Sequence, residues 1–409
     1  MKSKIFYGAL AMLSLAACSQ EEVLDVNRSG DEITFSVVTN KATRAADVYC
    51  NSHKPEGFKV WATYDNKTFI DGDNITSTDG GNTWTNTSGD RYWPDTKDNK
   101  TVDFYAEVNG SSEFDFKNGT ATPTFNNFTV STTLNEQKDL LYAVKLDQTK
   151  SKSPVALNFR HALSQIVFQA KNTNKNLHVT INSVAIQNVN STGTFTFPTT
   201  STDDKYGDHQ SDKTADPADD VALNASGTWK VNTPANYAAE SLAAEIVGDN
   251  TVVSLTNATE TTTNDKQEDG SEIVGSRWKK NMLLLPQDIT PWDPEEDKLS
   301  SKTTNTYFLI DCVIYNVVGD AVDKDNDVVL HNGPIAIPIN DITWLQGKKY
   351  IYTFVFGEGN GGYDPTEPDD DDGDGEKEDD PVLTPITFEM TVDDFIPVTE
   401  EEIEMKTEG

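Results

Sequence analysis

With 409 residues, the chain is long enough for two domains of ordinary size. Its formal net charge of −34 would repel a phosphate backbone, which argues against nucleic acid as a partner. A hydrophobic content of 36 % is low for an enzyme core and suits β-sandwiches with many exposed Thr, Asn and Asp; the acidity reads either as solubility at a cell surface or as divalent-cation binding.

The first eighteen residues have the build of a secretory signal. Lys2 and Lys4 supply the charged end and residues 5–15 the apolar stretch, which is too short to span a bilayer. Leu15-Ala16-Ala17-Cys18 has small residues where a signal peptidase closes, followed by a thiol that can receive lipid. A mature protein beginning at lipid-bearing Cys18 is expected, with Ser19-Gln20-Glu21-Glu22 after it. Of the other two cysteines, Cys50 and Cys312 lie far apart and a disulfide between them is not favoured.

Along the mature chain, Ile33, Phe35 and Val37 alternate with Thr34 and Ser36, the pattern of a first strand with one buried face. The stretch 41–46 that follows is small and polar around Arg44; an exposed Arg44 before Ala45 suits a trypsin-like protease, and a plain linker is the other reading. Strands are predicted over 57–64 and 102–108, with 71–89 mostly loop apart from a short strand at 83–85. Tyr92-Trp93-Pro94 reads as an aromatic plug at a strand edge. Strands at 122–130 and 140–144 come next, then 155–172 with a bend at 160–163, and then a strand, turn and strand over 177–197. Trp229, 282–285, 307–318, 328–329, 335–339 and 350–356 carry the later strands. Short strands with polar turns at this spacing predict an all-β fold of two sandwiches, joined near 150–154.

Residues 364–380 hold eleven Asp or Glu and one Lys, a run expected to stay disordered because it cannot bury enough apolar surface. Beyond it Ile386, Phe388, Met390 and Val392 again alternate with polar residues. Such a strand on a tether must find a sheet edge, its own chain's or a neighbour's.

Chemistry is sparse. No Ser/His/Asp grouping, phosphate loop or zinc spacing occurs, so neither an enzyme nor a cofactor or metal protein is expected. His161 sits among apolar strand residues and reads as structural rather than as a base. Asp323, Asp325 and Asp327 have the opening spacing of a calcium loop but lack its Gly and its final Glu; Asp370, Asp372 and Asp374 are better read as tether. Trp84, Trp93 and Trp292 suit either stacking on sugars or filling cores.

Taken in order, the lipobox 15–18, the strand 32–35, the segments 57–62, 92–94 and 102–106, the stretch 157–166 (Leu-Asn-Phe-Arg-His-Ala-Leu-Ser-Gln-Ile), 282–287, 344–352 and the strand 386–398 resemble the fimbrillin family, the Mfa-like and major-fimbria pilins of Bacteroides and relatives. The resemblance implies two transthyretin-like β-sandwich domains in tandem. It implies export as an outer-membrane lipoprotein anchored through Cys18, and an Arg-specific surface protease that cuts between Arg44 and Ala45. Cleavage would remove the strand of Ile33, Phe35 and Val37, and the strand of Ile386, Phe388, Met390 and Val392 from another fimbrillin subunit would fill the space. On this reading the segments are 1–18 leader, 19–44 removable segment, 45–153 and 154–360 sandwich domains, 361–384 tether, and 385–409 donor strand and tail. Other fimbrillin subunits are the expected partners. A minor or tip pilin, or a monomeric surface lipoprotein binding host or bacterial glycans or proteins, are the alternatives.

Overall fold

The computed structural model describes residues 32–38, 55–94, 100–110, 114–116, 122–202, 226–238, 244–255, 282–294, 303–318, 323, 326–357 and 386–394. The chain is all-β across them. In its first part lie β1 (Phe35–Val38), β2 (Gly57–Tyr64), β3 (Lys67–Thr76), β4 (Thr85–Asn86), β5 (Val102–Val108), β6 (Phe114–Asp115), β7 (Thr124–Thr129), β8 (Leu141–Gln148), β9 (Val155–Asn158) and β10 (Arg160–His161). Then follow β11 (Ser164–Asn172), β12 (Leu177–Thr196), β13 (Thr228–Ala238), β14 (Ala244–Val247), β15 (Val253–Ser254), β16 (Met282–Leu284) and β17 (Asp288–Ile289). The last are β18 (Tyr307–Asn316), β19 (Val328–Pro338), β20 (Ile342–Thr343), β21 (Lys348–Phe356) and β22 (Ile386–Asp394). A single 3-10 turn, Leu134–Glu136, is the one helical element among the described residues.

Two apolar cores organise these strands. The smaller lies under a six-stranded sheet of order β10-β8-β5-β2-β3-β4. Val60, Ala62, Phe104 and Ala106, at period two on the two central strands, are wholly buried in it. Its other side is closed by β1 and β9, a two-stranded parallel pair. The β2–β3 hairpin turns through Asp65 and Asn66, both at positive φ (54° and 57°), the backbone that matches the twist of a tight hairpin and that Asp and Asn tolerate.

The larger core lies between a five-stranded sheet, β15-β11-β21-β22 with β16 also on β11, and a seven-stranded sheet, β19-β18-β12-β7-β6 with β13 and β14 also on β12. Aromatic rings from both sheets meet in it. Phe308 of β18 stands edge-on to Phe168 of β11 (5.7 Å, 85°) and to Tyr352 of β21 (4.9 Å, 62°).

Three sequence expectations need correction. The stretch 177–197 is not a strand, turn and strand: β12 runs unbroken for twenty residues. Asn188, at a φ of 60°, kinks it where its register with β13 shifts, and ladders on both flanks carry it through. The polar stretch 71–89 is not mostly loop at its start, because β3 reaches Thr76 by pairing along β2. Nor do the cores divide at 150–154. Val155, Leu157 and Phe159 belong to the smaller core, while Phe125, Phe128 and Val130, earlier in the chain, belong to the larger. Long-range pairing decides this, as β7 joins β12 and β9 joins β1.

Candidate functional site

The apolar residues of the first strand, Ile33, Phe35 and Val37, are 3 %, 5 % and 7 % exposed, so the segment is a member of the smaller core and not a surface strap. Phe35 is its anchor. Its ring stands edge-on to Phe58 of β2 (6.0 Å, 88°) and to Phe104 of β5 (5.8 Å, 83°), the geometry in which aromatic quadrupoles attract.

Two backbone walls hold the segment. On one side β9 runs parallel to it, in register from Phe35↔Val155 to Val38↔Asn158, and the Val155 N–H donates to the Thr34 carbonyl at 2.8 Å. On the other, the Ile33 N–H donates to the Arg91 carbonyl at 2.7 Å and Glu32 bridges Tyr92.

The Arg91 wall is itself fixed. The Arg91 guanidinium forks onto buried Asp73 at 2.7 and 2.9 Å, and the Asn86 amide donates to the same carboxylate at 2.7 Å. Burial pushes the Asp73 carboxyl up, but the hydrogen bonds from Arg91 and Asn86 outweigh it and hold the group below the usual carboxylate range. Trp93, 1 % exposed, seats edge-on against Phe104 and anchors the far end of this wall (5.9 Å, 84°). Sequence reading placed Tyr92-Trp93-Pro94 at a strand edge but did not say which strand it borders; that strand is the first, reached through Arg91.

The second candidate strand is placed elsewhere. β22 pairs antiparallel with β21 on the five-stranded sheet, from Lys348↔Asp394 to Phe356↔Ile386, with Phe388 opposite Phe354, Met390 opposite Tyr352 and Val392 opposite Tyr350. Met390 packs, partly buried, on the larger core. Within the chain the tail thus lies on the β21 edge, and it is not wholly separate from the cores. The strand of Ile33, Phe35 and Val37 and the strand of Ile386, Phe388, Met390 and Val392 are not brought together within one chain. Cys18, Arg44, Ala45 and the acidic run 364–380 lie outside the described residues.

The remaining candidates resolve into structure. His161 Nδ1 lies 2.8 Å from the buried Asp139 carboxylate. Cys312 is a free, fully buried thiol on β18, pushed up to about 12 by burial and by neighbouring Asp311. Asp327 accepts from the Val318 and Asp323 backbone N–H groups, so its carboxylate closes the loop between β18 and β19. Among the described residues no group of three or more His, Cys, Asp or Glu is arranged to hold a metal. Trp93 and Trp292 are each 1 % exposed, too buried to stack on a sugar, and Trp84 lies against Phe58.

Across the described residues the chain is all-β with two apolar cores, the smaller completed by an early strand held between two backbone walls. The family model described as fimbrillin-like, of the Mfa-like group, matches residues 30–367, and the chain belongs to that family. Among solved structures it is similar to a fimbrial protein from Bacteroides vulgatus, at 15 % identity over 89 % of this chain and 99 % of that one, with a TM-score of 0.49. It is also similar to the tip fimbrial protein Mfa3 from Porphyromonas gingivalis with C-terminal truncation, at 8 % identity over 89 % and 99 % of the two chains, with a TM-score of 0.37. No curated relative matches the chain.

Proposed function

We propose that the protein is a structural pilin subunit, assembled into surface fimbriae that support adhesion, by strand exchange between subunits. It is exported as a lipoprotein, held at the outer membrane through Cys18, and cut between Arg44 and Ala45 by an Arg-specific surface protease. Cutting converts Ile33, Phe35 and Val37 from a covalent part of the smaller core into a removable strand. The strand of Ile386, Phe388, Met390 and Val392 from another subunit then takes its place. Because donor and acceptor surfaces differ, the contact is heterologous and does not close on itself, which yields a fibre.

The observation that carries this reading is the burial of the Ile33–Phe35–Val37 face between two backbone walls. Its loss would strip β9 of its strand partner among the described residues and open Phe58 and Phe104 to water, an arrangement that another strand relieves. The experiment is limited proteolysis of the folded protein with trypsin, followed by gel electrophoresis without heating. The first large fragment should begin Ala45-Ala46-Asp47 and should run as a ladder resistant to denaturant. A first cut within 57–144, or a clipped protein that stays monomeric, would overturn the proposal.

A further inference from the structure

The tripeptide Ile-Thr-Phe occurs at two places in the chain and nowhere else: Ile33-Thr34-Phe35, followed by Ser36-Val37, and Ile386-Thr387-Phe388, followed by Glu389-Met390. The first copy is the strand the smaller core buries; the second opens β22. We infer that the tail of a second copy of this chain enters the cleft parallel to β9 and in the register of the strand it replaces, with Ile386 at the site of Ile33, Phe388 at that of Phe35 and Met390 at that of Val37. The inference rests on the strand-exchange reading above and adds the direction and register of the contact.

Each position has a physical counterpart. Phe388 would find the same edge-on neighbours, Phe58 and Phe104, that Phe35 uses. Met390 replaces a smaller Val with an unbranched side chain able to follow an irregular gap. The Thr387 carbonyl would accept from the Val155 N–H, as the Thr34 carbonyl does, and the Ile386 N–H would donate to the Arg91 carbonyl in place of Ile33. Pro385 then stands at the site of Glu32. That is a tolerated place for proline, because the ladder bond at this end is donated by Ile33 and not by Glu32. Ser36 and Glu389, on the alternate positions, share the outward phase beside exposed Ala156.

A one-residue slip would turn Ile386, Phe388 and Met390 out of the core and their polar neighbours in, so the apolar period forbids it. A two-residue slip keeps the face but puts Phe388 at the site of Ile33 or Val37, away from the space shaped for a ring. Reversal of the strand also keeps the apolar face but loses the match of Ile-Thr-Phe to the walls. Parallel entry further brings the donor chain in at the Arg91–Trp93 end, where Glu32 and Ile33 now lie. Donation is exclusive of the pairing within the chain: Glu389 lies opposite Thr353 in its own subunit and would lie opposite Ala156 in the next.

The test is disulfide trapping between two differently substituted proteins, both Cys50→Ser and cut after Arg44, so that only links between subunits join the two kinds. Neighbouring strands are about 4.8 Å apart, within the range a disulfide spans. One protein carries Ala156→Cys or Pro154→Cys, and the other Thr387→Cys, Glu389→Cys or Thr391→Cys. The expected result is covalent dimers on non-reducing gels for 389 with 156 and for 387 with 154, each well above the remaining pairs. Linkage of 391 with 154 together with 389 with 156 would show antiparallel entry. Linkage of 387 or 391 with 156 would show a slipped register. Either result, or denaturant-resistant ladders with no link at any pair, overturns the inference while strand exchange stands. Absence of ladders from the unsubstituted cut protein removes both.

Discussion

Phe35→Ala isolates the anchor of the N-terminal strand. The ring is 5 % exposed and meets Phe58 and Phe104 edge-on, so truncation removes both contacts and leaves a cavity beneath β2 and β5. Such a change in a packed core costs about 3–5 kcal/mol, against a total stability on the order of 5–15 kcal/mol for a domain. In the uncut protein the smaller core should therefore unfold at clearly lower denaturant concentration. In protein cut after Arg44 the strand is held without a covalent link. There the same loss weakens its retention by about a hundredfold or more, since each 1.4 kcal/mol is about a factor of ten. The assay is gel filtration of cut protein carrying a fluorophore on the N-terminal fragment, with urea denaturation of uncut protein in parallel. Ser36→Ala, on the half-exposed face of the same strand, is the control and should change stability by no more than about 0.5 kcal/mol. If Phe35→Ala shifted neither fragment release nor the denaturation midpoint beyond that control, the strand would not be the closing element of the core and the argument would fail.

Other tests bear on the tail, the wall and the anchor. Phe388→Asp should abolish polymer from cut protein, read by light scattering, while uncut protein keeps its β-type circular dichroism; normal polymer would show that the tail is not the donor. Asp73→Asn should loosen the wall that holds Ile33. Because the Asp73 carboxyl titrates below its unfolded value in the folded protein, its contribution is fully present above about pH 4 and is lost as pH falls through the depressed folded value. Fragment retention should accordingly fall with acid in the parent and less so in Asp73→Asn, and equal acid profiles would exclude Asp73 as the cause. Cys312, free and buried with a raised thiol, should resist thiol reagents at pH 8 until the protein unfolds; rapid labelling of the native protein would contradict its position on β18. Cys18→Ala should take up no labelled palmitate and should be lost from the outer-membrane fraction, and equal labelling of both forms would end the lipoprotein reading.

The all-β class and both candidate strands were legible in the sequence because alternation is a local property. Ile33, Phe35 and Val37, or Ile386, Phe388, Met390 and Val392, reveal an apolar face without reference to any other residue. What alternation cannot supply is a partner, because a strand satisfies its backbone with another stretch of chain that can lie at any distance along the sequence. Only the tertiary structure decided that the first strand pairs with Val155–Asn158 and leans on the Arg91 wall, that β12 continues through Asn188, and that β7 crosses to the larger core while β9 stays with the smaller. It also decided which strand of the same chain lies beside the tail. The sequence did not say which strand of its own chain β22 would join; in the structure it is β21, where nine residues pair in one uninterrupted register.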